Sequence, residues 1–142
     1  MKHYEASSII SASPECIWEI LTNTLGYSQW DSGVERVEGE VALGATVKVF
    51  SKVSPGRAFP VKVTELRPYS RMVWSGGMPL GLFKGVRTFV LAPQDDGTVK
   101  FNMREEFSGP MLNMIWSSMP DLAPSFEQFA KGLKAKAESD RN

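Results

Sequence analysis

The stretch GLFKGVRTFVLAPQDDGTVKFNMREEFSG, residues 81–109, holds two runs of alternating apolar and polar residues separated by PQDDG. Pro, Asp and Gly together favour a tight turn, so the two runs predict an antiparallel hairpin. Successive side chains of a strand point to opposite faces. In the second run the odd positions are Val99, Phe101, Met103, Glu105 and Phe107, and the even ones are Lys100, Asn102, Arg104, Glu106 and Ser108. The odd face is the buried one. Glu105 and Glu106 therefore point apart and do not form a catalytic pair of carboxylates. Glu106 joins Arg104 on the wet face, and Glu105 points inward. A buried carboxylate requires a partner. In the first run Arg87 shares a face with Phe83, Phe89 and Leu91, again the apolar one. The alternation leaves the register open: Arg87 stands across from Glu105 or, after a shift in pairing, from Met103.

Working upstream, the same period of two recurs in VERVEGEV, in TVKVFSKV before SPG, in AFPVKVTEL before Arg67-Pro68, and in RMVWSG before a Gly-Gly pair. Six short strands thus run in succession from Val34 to Phe107. Sequential antiparallel pairing is the default for such a run. Tyr4 to Ser11 reads as a further strand. It is followed by a helix that Ser13 caps, that Pro14 suits at its first turn, and whose apolar stripe is Ile17, Ile20 and Leu21. Downstream, Leu112, Ile115, Met119, Leu122, Phe126, Phe129, Leu133 and Ala137 recur at spacings of 3 and 4, a helical stripe. Pro120 and Pro124 interrupt it, which predicts a kink or a short leading helix before a longer one. The order is strand, helix, six strands, long helix: an α+β arrangement with the long helix as the only element able to cover the sheet.

A chain of 142 residues fits one domain, taken as residues 1–142. Acidic and basic residues balance at 16 each, which argues against a nucleic-acid partner. The same balance argues against a membrane surface for the basic helix end KGLKAKAE. No apolar run approaches a membrane span or a signal peptide. Cys16 stands alone, so no internal disulfide forms, and a reducing, cytoplasmic setting is expected. His3 is the single histidine and lies near the terminus, so neither a histidine metal cluster nor a Ser-His-Asp arrangement is expected. No cofactor is implied. Cys16 lacks a neighbouring histidine and reads as an inert thiol. Tyr4, Tyr27 and Tyr69 fall near element ends. The segments GGMPLG (76–81) and SPGRAFP (54–60) lack the Gly-Lys-Ser/Thr of a phosphate loop and read as mobile hairpin ends.

Three segments, ISASPECIWEILTNTLGYSQW (10–30), residues 81–109, and FEQFAKGLKAKAE (126–138), resemble the opening, the penultimate hairpin and the closing helix of the START/pollen-allergen/polyketide-cyclase (SRPBCC) superfamily. The resemblance covers essentially the whole chain. It implies a helix-grip fold, in which a curved seven-stranded antiparallel sheet wraps around the long C-terminal helix. It also implies an apolar cavity between sheet and helix. Trp30, Trp74, Phe83, Met114, Met119 and Phe126 are the expected lining, with Phe89, Phe101 and Met103 on the inward strand faces and Ile115 and Leu122 on the helical stripe. Arg87 and Glu105 would then be a structural ion pair at the rim, or a polar anchor for a ligand. The expected role is binding of a small hydrophobic, aromatic or lipid-like molecule by a monomer or weak homodimer. Two alternatives from the same superfamily are a polyketide cyclase or dehydratase that moves a proton with Glu105, and a cochaperone-like module that uses the outer sheet face.

Overall fold

The computed structural model describes residues 2–140. The strands are β1 (Lys2–Ile10), β2 (Val34–Glu38), β3 (Thr46–Ser51), β4 (Ala58–Arg67), β5 (Arg71–Gly77), β6 (Lys84–Pro93) and β7 (Val99–Ser108). The helices are α1 (Pro14–Thr22), α2 (Leu112–Ser118) and α3 (Ala123–Asp140), with short 3-10 segments at Thr24–Gln29 and Pro79–Gly81. All seven strands form one antiparallel sheet in the order β1-β7-β6-β5-β4-β3-β2. Strands β2 to β7 follow one another as hairpins, and β1 closes onto β7. Residues 11–33 therefore carry the chain from one sheet edge to the other, which the curl of the sheet permits. Register shifts in β2 and β4, between Val34 and Arg36 and between Val63 and Glu65, mark irregularities of the kind that sharpen local twist. This is the helix-grip arrangement expected above.

The proline positions decide how the last third folds. Met119 adopts an extended conformation with ψ 145°, as a residue preceding proline prefers, and α2 ends there. Pro124 falls in the first turn of α3, where its missing N–H breaks no helical bond. Asp121 accepts a hydrogen bond from the backbone N–H of Ala123 at 3.0 Å and starts the new helix. The apolar stripe is thus divided between two helices, and the residues around the break, Ile115, Met119 and Leu122, are only half-buried.

Helix α3 packs over β1 and β7 and against α1. Side chains pin it there: Ser8 Oγ donates to Ala130 O at 3.1 Å, Lys134 Nζ to Ile9 O at 2.7 Å, and Gln128 Nε2 to Asp31 Oδ1 at 2.6 Å. Phe129 is the hub beneath it. Its ring lies 5.2 Å from Trp30, 6.0 Å from Phe101, 6.1 Å from Tyr27 and 6.2 Å from Phe89. Burying one such side chain stabilises the fold by about 1.5–3 kcal/mol. Tyr27, near the end of the 3-10 segment Thr24–Gln29, is fully buried, and its hydroxyl donates to Leu21 O at 2.6 Å. Burial raises the pKa of that hydroxyl, more than the nearby Arg87 charge lowers it.

Helix α3 packs tightly on the rest of the chain at Gly132, where a Cβ would run into the backbone carbonyl of Asp31. Alanine in place of an exposed helical glycine stabilises by about 1 kcal/mol. Gly132→Ala is expected to do the opposite and to lower the unfolding free energy by about 2 kcal/mol, the cost of overpacking. Urea denaturation of the two proteins measures the sign.

Candidate functional site

Because α3 lies mainly over β1 and β7, part of the inner face of the other strands is left uncovered. A cavity of about 630 Å³ fills that space. The sheet contributes Val49, Val61, Trp74, Phe83, Met103 and Phe107, and the helices contribute Ile115, Met119, Leu122, Phe126 and Phe129. The break between the two helices creates the roof: around Met119 and Pro120 the chain spans the cavity without regular structure.

One ion pair stands in this apolar wall. Arg87 and Glu105 are direct cross-strand partners on β6 and β7, which resolves the register. Arg87 Nε lies 2.7 Å from Glu105 Oε1, with the two side chains 25% and 16% exposed. The guanidinium also sits over the Phe126 ring of α3, 4.9 Å from its centroid, a cation–π contact. Gly85 makes room for the pair. It occupies an inward position on β6, and a Cβ there would stand 2.6 Å from Glu105 Oε2. Trp74, the partner of Arg87 on β5, is buried, and its indole N–H meets no acceptor. Glu105 is the one carboxylate in the lining, and Arg57 the one other cation, at the mouth. On the outer face Arg104 bridges Glu106 at 3.0 Å and Glu5 at 3.2 Å, and Val86 and Val90 are half-buried among charged neighbours.

Nine of the residues expected to contact a ligand line this cavity: Trp74, Phe83, Arg87, Met103, Glu105, Ile115, Met119, Leu122 and Phe126. Four lie elsewhere. Phe89 and Phe101 share the inward faces of Arg87 and Glu105, but further along their strands, where Phe129 of α3 packs on both. Trp30 is held in the same core between Tyr27 and Phe129. Met114 falls one residue off the buried stripe of α2 and is 62% exposed. Val49, Val61, Gly85 and Phe107 line the cavity and were not singled out from the sequence. For Gly85 and Phe107 the inward alternation with Arg87 and Glu105 was the available signal.

Cys16 faces α3, where its thiol donates weakly to Ala137 O at 3.7 Å. Burial raises its pKa, with Asp140 and Glu19 adding to the effect and Lys136 opposing it. Among the described residues no group of three metal-ligating side chains lies together.

Two outcomes follow from this geometry. Arg87→Leu strands the Glu105 carboxylate and is expected to cost about 1–2 kcal/mol after allowance for the partial exposure of the pair. The Arg87→Leu/Glu105→Leu double variant should recover most of it, so chemical denaturation of the cycle reads a coupling of that size. At pH 8 Cys16 should react with a disulfide reagent several-fold more slowly than a free thiol of ordinary pKa, because less of it is thiolate.

Known structures share this architecture. A solution structure of the Aha1 dimer from Colwellia psychrerythraea has a TM-score of 0.75 at 21% identity, and the match covers 100% of both chains. The Zhui aromatase/cyclase from Streptomyces sp. R1128 has a TM-score of 0.70 at 16% identity, covering 96% of this chain and 93% of that one. A START superfamily protein from Mycobacterium smegmatis has a TM-score of 0.69 at 15% identity, covering 96% and 97%. At these identities the likeness is one of fold. No curated protein sequence matches the chain. No helix among the described residues is long and apolar enough to cross a membrane. The sequence model for polyketide cyclase/dehydrase and lipid transport proteins matches residues 1–138, and the chain belongs to that family.

Proposed function

We propose that the protein binds a small hydrophobic molecule, aromatic or lipid-like, in the cavity between the sheet and the two C-terminal helices. The observation that carries this reading is an apolar cavity of about 630 Å³ with a guanidinium held in its wall. That volume falls within the roughly 300–1,000 Å³ usual for small-molecule sites. Affinity would come mainly from apolar burial, at about 25 cal/mol per Å². Orientation would come from Arg87. Only its Nε is engaged by Glu105, so the terminal guanidinium nitrogens remain to donate to a carbonyl, carboxylate or phenolic oxygen. Met103 and Met119 can adapt the wall to ligands of different shape. The chain shares its fold with an aromatase/cyclase and with a START superfamily protein, and the family description names both polyketide and lipid chemistry.

A second reading, a cyclase or dehydratase, draws on Glu105, the carboxylate that faces the cavity. A bound polyketone could lose a proton to it while Arg87 stabilises the developing enolate oxygen.

A thermal-shift titration with a fluorescent fatty acid and with 1-naphthoic acid tests the binding reading. The melting temperature should rise with ligand concentration, by linkage. Trp74 fluorescence should change in parallel and saturate at one ligand per chain. Arg87→Ala should weaken 1-naphthoic acid about tenfold. Absence of any shift with both probes would remove the reading. Turnover of a polyketone lost in Glu105→Gln, with affinity retained, would move it to catalysis.

A further inference from the structure

We propose that the mouth of the cavity docks on an anionic lipid bilayer. The neutral chain is polar in its layout. The β3–β4 and β5–β6 turns lie at one end of the antiparallel sheet, beside the join from β7 to α2, and both turns contribute to the cavity lining. The two turns carry Lys52, Arg57 and Lys84, all exposed, and no carboxylate. Beside them Lys2 places its ammonium 5.4 Å from the Trp116 ring centroid. Other elements at this end carry carboxylates: Asp121 starts α3, Asp31 accepts from Gln128, Glu106 pairs with Arg104, and Glu35 is half-buried on β2. The turns of the opposite end are acidic: they and α1 carry Glu40, Asp95, Asp96, Glu15 and Glu19, while Arg67 and Arg71 there are both paired with Glu65 and Lys100 stands at the start of β7.

Apolar exposure follows the cations. Of the nine large apolar side chains left exposed among the described residues, five lie on elements of this end: Val53, Phe59, Met78, Leu80 and Met114. Leu80 is 96% exposed, and its backbone is left-handed at φ 61°, a conformation leucine rarely adopts. The turn that presents it is braced by Met78 N–H to Phe83 O at 2.8 Å and by Met111 N–H to Leu82 O at 2.9 Å. An apolar tip ringed by cations matches a surface of anionic headgroups over hydrocarbon. A protein partner would need no such pairing of a projecting leucine with turns that carry cations and no carboxylate. Docked this way, the cavity opens directly toward the acyl chains. That use for ligand exchange rests on the binding function proposed above, whereas the docking itself needs no ligand.

Flotation with vesicles tests it, using phosphatidylcholine alone and an equal mixture with phosphatidylglycerol, at low and high salt. The folded protein should float with the anionic vesicles only, and salt should weaken it. Leu80→Glu should reduce binding about tenfold or more. Lys84→Glu should reduce it several-fold. Leu43→Glu, an exposed leucine at the acidic end, should leave it unchanged. Any one of four results overturns the proposal: no flotation, equal flotation with neutral vesicles, equal loss in Leu43→Glu, or a dimer by light scattering that Leu80→Glu dissolves. The 1-naphthoic acid titration in the absence of vesicles reports on the cavity separately, so failure of docking and failure of ligand binding are distinguishable.

Discussion

The contact between α3 and the segment that leads into β2 fixes the rest of the molecule. Gly132 lets the helix approach the Asp31 carbonyl more closely than any other residue would allow, and Gln128 ties the same segment from one turn away. Held there, α3 covers mainly β1 and β7, with Phe126 and Phe129 reaching β6. The rest of the inner face must then be covered by something shorter and further away. Pro120 ensures that it is, because the chain cannot run on from α2 to α3 as one straight rod. The cavity is the geometric remainder of a helix clamped to one side of a curled sheet.

Within that remainder the polar groups are supported rather than merely present. Arg87 is held by Glu105 across the strand pair and by the Phe126 face from the helix above. Gly85 keeps the space into which the carboxylate leans. A guanidinium braced from two sides loses little freedom when it takes a further acceptor, which suits it to fix the orientation of an otherwise featureless apolar ligand.

Much of this was legible in the chain before folding was considered. Strict alternation through residues 99–107 sorted Glu105 from Glu106 and set Arg87 on the same face, and the prolines predicted the divided helix. The register was not legible, because alternation repeats every two residues and is blind to a slip of that length. Nor was the boundary between core and cavity: Phe89 and Phe101 satisfy the same pattern as Arg87 and Glu105, and only the position of α3 decides which are covered. The burial of Tyr27 was not legible for a related reason, since a short irregular segment buried by its neighbours has no periodicity to read. The gathering of Lys52, Arg57 and Lys84 at one end is likewise invisible to a net charge of zero. It exists only once the hairpins bring distant turns together.

The pairing of β1 with β7 has a bearing on how the chain acquires its structure. Lys2 faces Phe107, so the first strand finds its partner more than a hundred residues later. The hairpins β2 to β7 can assemble locally and early, whereas β1 and its apolar face wait for the end of the sheet and for α3. During synthesis from the N-terminus that strand is an unpaired edge for most of the time the chain is emerging, and unpaired edges associate with one another. Its alternation of exposed Glu5 and His3 with inward Tyr4 and Ala6 places a charge on the open side through that interval. Completion of the fold is therefore tied to the arrival of its last element, and a truncated chain lacking α3 would lose the cover over β1 along with the roof of the cavity.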